Sequence, residues 1–88
     1  MTDNQTLFTG EMLIDVARNQ LDEGNPVKVK ETMMRLRMTG FSEQEALEYI
    51  ACALGQEMTH VVEGGMSFDE KRYSQYLDTL PELPWAED

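Results

Sequence analysis

The chain has one cysteine and one histidine, too few for several common kinds of site. A lone cysteine, Cys52, cannot form an internal disulfide. It lies among alanines in a predicted helix, where we expect it to be buried as a small hydrophobic side chain in a reducing compartment. The single histidine, His60, forms an E-x-x-H pair with Glu57. Helical di-iron sites need two such pairs and further glutamates, so only a symmetric dimer would complete one. We interpret Glu57 and His60 as a surface helix pair.

Basic residues are scarce, since seven Lys and Arg stand against 17 Asp and Glu, for a formal net charge of -10. Nucleic-acid binding needs Lys and Arg for phosphate contacts, and anionic membrane surfaces attract the same residues. We therefore predict neither direct nucleic-acid binding nor membrane docking. A basic partner would suit this charge, although the simpler interpretation is a solvated acidic surface that keeps the protein soluble.

Long apolar runs are absent from the sequence. A membrane-spanning helix needs about 20 largely apolar residues. Residues 1–5 are polar and acidic, whereas a signal peptide opens with a basic segment followed by an apolar one. We expect no membrane span, and we expect the chain to lie in the cytoplasm.

Catalytic motifs are also missing. The sequence has no glycine-rich phosphate loop, no nucleophile elbow and no C-x-x-C pair. Cys52 and His60 lie about 12 Å apart along the axis of one predicted helix, too far for the hydrogen bond that activates a cysteine. We predict that the protein is not an enzyme and that it holds no cofactor and no metal.

Apolar residues repeat at helical spacing in four segments, and no segment shows the sustained alternation of a β-strand. We predict a single all-α domain over residues 1–88, built as a small bundle of four helices around a long central third helix. Residues 1–8 and 81–88 are expected to be flexible or extended.

The first two helices are bounded by residues that start and stop helices. Thr9 caps a helix over about residues 10–23, and Gly24 ends it. Asn25 and Pro26 start the second helix as its cap and first residue, and Gly40 ends it. The predicted inner faces are Leu13, Val16, Ala17 and Leu21 in the first helix and Val29, Met33 and Leu36 in the second.

The third helix has the strongest pattern. Ser42 and Glu45 form a capping box, and Gly64-Gly65 ends the helix. A second capping box at Ser67 starts the fourth helix, and Pro81 stops it. The predicted inner faces are Leu47, Ile50, Ala51, Leu54, Met58, Val61 and Val62 in the third helix and Tyr73, Tyr76, Leu77 and Leu80 in the fourth.

The second helix concentrates the positive charge. Residues 26–40 carry +3, from four basic side chains and one acidic, and the remaining chain carries -13. One interpretation is a basic binding patch. The other, which we favour, is internal complementation of Glu43, Glu45 and Glu48, because exposed pairs of this kind are common and weak. The basic residues concerned are Lys28, Lys30, Arg35 and Arg37.

Methionine and aromatic residues leave two interpretations open. The chain has seven methionines, of which Met33, Met34 and Met38 cluster on the second helix. Methionine fills gaps in cores, our preferred interpretation, and also lines adaptable binding grooves. Near the end of the chain, Tyr73, Tyr76 and Trp85 either anchor an interface or close the core.

Two motifs resemble those of a known family. They are Gly40-Phe41-Ser42-x-x-Glu45-Ala46 at the start of the third helix, and Phe68-Asp69-Glu70-x-Arg72-Tyr73-x-x-x-Leu77 in the fourth. In these motifs the chain resembles a family of small bacterial helical proteins of unknown function, over roughly residues 25–80. The resemblance implies a bacterial helical domain and assigns no catalytic residues.

These observations favour a small acidic protein–protein interaction module whose partner is another protein or a second copy, as a homodimer. The alternatives are an acidic regulator that mimics nucleic-acid charge and occupies a basic groove, and a metal-binding helical protein. The candidate interaction surface consists of Val61, Val62, Tyr73, Tyr76, Trp85, Lys28, Lys30, Arg35 and Arg37.

Overall fold

A computed structural model of the protein describes residues 9–86; residues 1–8 and 87–88, part of the predicted flexible or extended ends, lie outside this range. Four α-helices make up most of the described chain: α1 Gly10–Glu23, α2 Val27–Met38, α3 Glu43–Gly64 and α4 Glu70–Thr79. Residues 9–86 contain no strand. The prediction of an all-α bundle is confirmed.

Helix α3 is the centre of the fold. Its 22 residues give it a length of about 33 Å, and it packs against each of the other three helices. Helix α2 also contacts α1 and α4. The buried apolar side chains are Ala17, Val29, Met33, Leu36, Ala46, Leu47, Ile50, Ala51, Ala53, Leu54, Tyr73, Leu77 and Leu80. No helix in the described range is both long enough and apolar enough to cross a bilayer.

The caps of α1 and α3 match their predictions. The Thr9 hydroxyl accepts the Met12 N–H at 3.1 Å, and Gly24 ends α1 in the left-handed conformation with φ 70. At the start of α3, the Glu45 N–H donates to the Ser42 hydroxyl at 3.1 Å, and the Ser42 N–H donates to the Glu45 carboxylate at 2.9 Å. These bonds satisfy N–H groups that a helix leaves without partners in its first turn.

The starts of α2 and α4 differ from prediction. Pro26, not Asn25, occupies the cap position of α2, and no side chain caps that helix. Helix α4 is capped by Asp69, not Ser67, since one Asp69 oxygen accepts the N–H groups of both Lys71 and Arg72. A carboxylate that reaches two N–H groups and faces the positive end of the helix is a better cap than a serine two residues earlier.

Two valines predicted to face inward are exposed. Val16 of α1 and Val62 of α3 each keep 44% of their surface accessible. Met58 and Val61, also in the second half of α3, are half-buried. Helices of 14, 12 and 10 residues pack against a helix of 22, so they leave its last turns partly uncovered.

The chain after α4 is not simply extended. Pro84–Ala86 form one turn of 3-10 helix. Leu83 and Trp85 pack against the core although both are half-buried. This part of the tail is therefore integrated into the bundle.

Candidate protein-binding site

Glu57 is fully buried, so the prediction of a surface Glu57–His60 pair is wrong. The Arg72 guanidinium donates to both carboxylate oxygens of Glu57 at 2.7 Å, and the Asp69 N–H donates to Glu57 at 2.8 Å. The sequence did contain an indication, because Glu57 lies seven residues after Ile50 and three after Leu54, on the same inner face.

These bonds make Glu57 a structural residue that ties α3 to the start of α4. The hydrogen bond from Arg72 to Glu57 raises the pKa of the Arg72 guanidinium above its ordinary value. The Glu57 carboxylate accepts three hydrogen bonds, two of them charge-assisted and one from the backbone. A metal ion at Glu57 would have to displace them. Within residues 9–86, no group of three or more His, Cys, Asp or Glu side chains is arranged to hold a metal ion.

His60 contacts α4 separately from Glu57. Its Nε2 lies 2.8 Å from the Tyr76 hydroxyl, and the two rings are nearly parallel with centroids 6.2 Å apart. Trp85 packs edge-on against Tyr76 at 5.1 Å. These three side chains form a half-buried aromatic cluster at the junction of α3, α4 and the tail.

Tyr73 cannot belong to an interaction surface, because it is fully buried. Its hydroxyl donates to the Gln20 side-chain oxygen at 2.7 Å, and burial raises the pKa of the Tyr73 phenol. Of the three aromatic residues predicted to form an interface, Tyr73 closes the core, whereas Tyr76 and Trp85 remain partly accessible.

Cys52 is exposed, contrary to its predicted burial. It lies two residues from both Ile50 and Leu54, which turns it away from the core. Partial burial, followed by the charge of Glu48, raises the pKa of the Cys52 thiol. A raised pKa keeps the thiol protonated at neutral pH and makes it a weak nucleophile.

Two basic residues of α2 bind α4 and not the predicted carboxylates Glu43, Glu45 and Glu48. The Lys28 ammonium lies 2.7 Å from the Asp78 carboxylate. The Arg35 guanidinium donates to the carbonyl oxygens of Leu77 and Leu80 at 2.9 and 2.7 Å. A cation on these carbonyls complements the negative end of α4. Lys28 and Arg35 therefore serve the fold.

The other two basic residues of α2, Lys30 and Arg37, are exposed and form no ion pair within the described chain. They lie along one side of an exposed apolar row, and the exposed carboxylate of Glu31 lies along the other side. Met34 and Met38 are 57% and 83% exposed, so core filling explains Met33 alone. We name this surface the α2 ridge; it consists of Val27, Lys30, Glu31, Met34, Arg37 and Met38.

A hollow of about 200 Å³ lies between α1, α3 and the α3–α4 connection. Six of its seven lining side chains are apolar, and the seventh, Gln20, has its oxygen bonded to Tyr73. We name it the α1–α3 groove. Its lining residues are Met12, Leu13, Val16, Gln20, Leu54, Met58 and Phe68.

Two further hollows lie beside the first half of α3. One of about 310 Å³ lies beside Tyr49 and is lined by two carboxylates as well as Cys52. Another of about 220 Å³ lies between Gly10 and Cys52 and includes Glu48. The α1–α3 groove differs from both because no charged side chain lines it.

A close approach of the two helices shapes the groove. A Cβ atom on Gly55 of α3 would lie only 3.0 Å from a terminal methyl of Leu13, so the glycine lets α1 pack tightly there. Leu13 is one wall of the groove. Three other lining residues, Met12, Val16 and Phe68, are exposed.

Carboxylates follow the α1 edge of the groove. Asp15 lies three residues after Met12, and Glu23 lies seven after Val16, so each carboxylate lies beside one of these apolar residues on α1. Both carboxylates are exposed. The groove is therefore apolar inside and acidic along one edge.

Comparison with known proteins adds no assignment. No protein-family model, no curated protein and no solved structure matches the chain. The resemblance to a family of small bacterial helical proteins stays a prediction, and the geometry above is the basis for a functional proposal.

Proposed function

We propose that the chain is a small protein-interaction module that binds a helix of its partner in the α1–α3 groove. The observation that carries this proposal is the groove itself, a concave surface with six apolar lining residues and no charged one. Apolar concavities on a protein surface typically mark binding sites.

The dimensions and composition of the groove suit a helix. Its α1 wall extends from Met12 to Gln20, a distance of about 12 Å along the helix axis. An amphipathic helix that lies in such a groove inserts apolar residues spaced by three, four and seven positions. Met12 and Met58 add flexible side chains that adapt to the shape of the inserted residues.

The outer edge of the groove favours a partner that carries positive charge. Asp15 and Glu23 flank the apolar wall, and the chain as a whole carries -10. Complementary charges around an apolar contact increase the association rate and select among partners. The proposed partner helix therefore has one apolar face and a basic face adjacent to it.

A panel of synthetic amphipathic helical peptides, basic and acidic, tests this proposal by titration calorimetry. We expect the basic peptides to bind and the Val16→Asp variant to bind them at least about tenfold more weakly, because the substitution places a charge inside the contact. Gln75→Asp is the matched control, since it introduces the same charge at an exposed helical position of α4, outside the groove and the α2 ridge.

The result that overturns the proposal is the failure of every peptide to bind, or equal binding by Val16→Asp and wild type. Circular dichroism of both variants checks that each remains helical. Because Val16 is not part of the buried core, we expect both variants to fold.

Charge mimicry is a second proposal, supported by the exposed carboxylates of α1. Glu11, Asp15 and Asp22 lie on its solvent face, although Arg18 interrupts the row. A mimic of nucleic acid would bind a basic groove and lose its partner as salt rises. In a pull-down with this protein as bait, a nucleic-acid-binding protein that is captured at low salt and lost at about 0.5 M salt would support mimicry. Equal capture at both salt concentrations would contradict it.

A further inference from the structure

We propose that the helix received by the α1–α3 groove is the α2 ridge of a second copy of this chain. This inference rests on the proposed function and names the occupant of the same groove. It combines two surfaces that the single chain leaves open. The groove is apolar with an acidic edge, and the ridge is apolar with Lys30 and Arg37 along one edge and Glu31 on the other.

The α2 ridge has the pattern of a groove-binding helix. Val27 and Met34 are seven residues apart, and Met34 and Met38 are four apart, so the three form one apolar row. Lys30 and Arg37, also seven apart, lie together along one side of that row. The opposite side of α2 is held by its contacts with α4 through Lys28 and Arg35.

Lys30 and Arg37 are opposite in sign to the groove carboxylates and have a similar separation along the helix axis. Lys30 and Arg37 lie about 10 Å apart along the axis of α2, and Asp15 and Glu23 lie about 12 Å apart along α1. When the ridge enters the groove, each cation can face one carboxylate at the edge of the apolar contact. The pairs would set the alignment of the two helices.

The distribution of charge over the chain favours this pairing over other self-contacts. Residues 26–40 carry +3, and the rest of the chain carries -13. A contact between two copies that leaves out α2 joins surfaces that are acidic on average, since only Arg18, Lys71 and Arg72 are basic outside that helix. At physiological salt, charges interact over about 8 Å, so the groups near the contact decide whether two copies attract or repel.

Each copy has one groove and one ridge, so a single contact is heterologous. Two such contacts related by a two-fold axis would close a dimer. If two copies share only one contact, the pair keeps a free groove and a free ridge, and further copies bind there to form a chain. In both arrangements the same four charged residues meet. The two arrangements are distinguished by whether the mass stops at two copies.

Charge reversal tests the pairing. We would measure the wild-type mass by sedimentation equilibrium at micromolar to submillimolar concentration, beside two variants. The ridge variant carries Lys30→Glu and Arg37→Glu. The groove variant carries Asp15→Lys and Glu23→Lys. We expect wild type to associate, each variant to associate at least about tenfold more weakly, and an equal mixture of the two variants to recover association, because reversed ridge then meets reversed groove.

General repulsion between acidic copies predicts a different pattern. Each reversal changes the net charge by two, so the groove variant carries -6 in place of -10 and would then associate more tightly than wild type. A control with Glu63→Lys and Glu82→Lys, at exposed positions outside both surfaces, also carries -6. We expect this control to keep wild-type association or to exceed it.

Three outcomes overturn the pairing: a wild type that stays a 10.1 kDa monomer, a groove variant that associates as its control does, or a mixture that fails to recover. The mixture also checks folding, because only folded copies can pair. If the wild type is a monomer but basic peptides still bind and Val16→Asp abolishes their binding, the self-pairing is wrong and the proposed function stands. If peptides do not bind and Val16→Asp leaves association unchanged, the proposed function itself is wrong.

Discussion

The junction between α3 and α4 depends on a single buried carboxylate. Glu57 is fully buried, which would be costly for an isolated charge. Arg72 compensates with two hydrogen bonds, and the Asp69 N–H adds a third. Because Phe68 lines the groove directly before Asp69, the same bonds hold one wall of the groove in place.

We predict that Arg72→Met destabilises the protein strongly. The substitution keeps the aliphatic stem but leaves the Glu57 carboxylate buried without its cation, so the melting temperature should fall by on the order of 10 °C or more. Arg18→Met, at an exposed position of α1, is the control and should change it by no more than about 4 °C. Equal shifts would contradict a structural role for the Glu57–Arg72 pair.

Leu54 is a second residue whose contribution can be measured alone. It is almost completely buried, and it also forms the floor of the groove. Leu54→Ala should cost about 2–5 kcal/mol of unfolding free energy in urea titrations. Met38→Ala, at a position 83% exposed, should change it by less than about 0.5 kcal/mol. A cost below about 1 kcal/mol for Leu54→Ala would show that the site is not packed.

Tyr73 should make the protein sensitive to alkali. Burial raises the pKa of its phenol above the ordinary value of 10.0, so the folded protein keeps a proton that the unfolded chain loses. The contribution of this proton to the free energy of unfolding is fully present below about pH 10. It falls as pH rises above that value, by up to about 1.4 kcal/mol per pH unit. In Tyr73→Phe that part of the loss should disappear, as urea unfolding at increasing pH would show. An unchanged alkaline slope would contradict it.

At the scale of elements, the helices that the sequence predicts best are those with local stop and start residues. Thr9 with Gly24, and Ser42 with Gly65, act within a few residues of their own helix, so their pattern is visible without the fold. The α4 cap was missed because Ser67 and Asp69 both fit a helix start. The backbone selects Asp69, which also donates its N–H to the distant Glu57.

We predict that the α4 cap can be located by two alanine substitutions. Asp69→Ala removes the acceptor for two N–H groups and should cost about 0.5–2 kcal/mol of unfolding free energy. Ser67→Ala should cost less than about 0.5 kcal/mol, because its side chain has no hydrogen bond within residues 9–86. A larger loss in Ser67→Ala than in Asp69→Ala would restore the predicted capping box.

The inner and outer sides of the helices were harder to predict than their ends. Helical spacing places Val16 beside Leu13 and Ala17, yet 44% of its surface stays accessible. The spacing of Cys52 turns it outward, although its alanine neighbours suggested burial. Which apolar side chains are covered depends on the lengths and crossing of neighbouring helices, and neither quantity appears in a local pattern.

At the scale of the whole molecule, the groove is a product of tertiary structure. Its walls come from α1, from α3 and from Phe68 in the connection to α4, and these segments are far apart in sequence. Sequence patterns offered nine candidate residues for an interaction surface, of which Val62, Lys30 and Arg37 are exposed. They could not separate these residues from Lys28, Arg35 and Tyr73, which serve the fold through contacts with distant residues.

The methionines provide the most direct measurement of the central claim, that two copies meet groove to ridge. Met12 and Met58 line the groove, Met34 and Met38 lie on the ridge, and Met33 is buried in the core. In methyl-labelled protein, we predict that dilution from submillimolar to low micromolar concentration shifts the first four methyl resonances together and leaves Met33 in place. Resonances that do not change with concentration, or shifts confined to other methionines, would contradict the account.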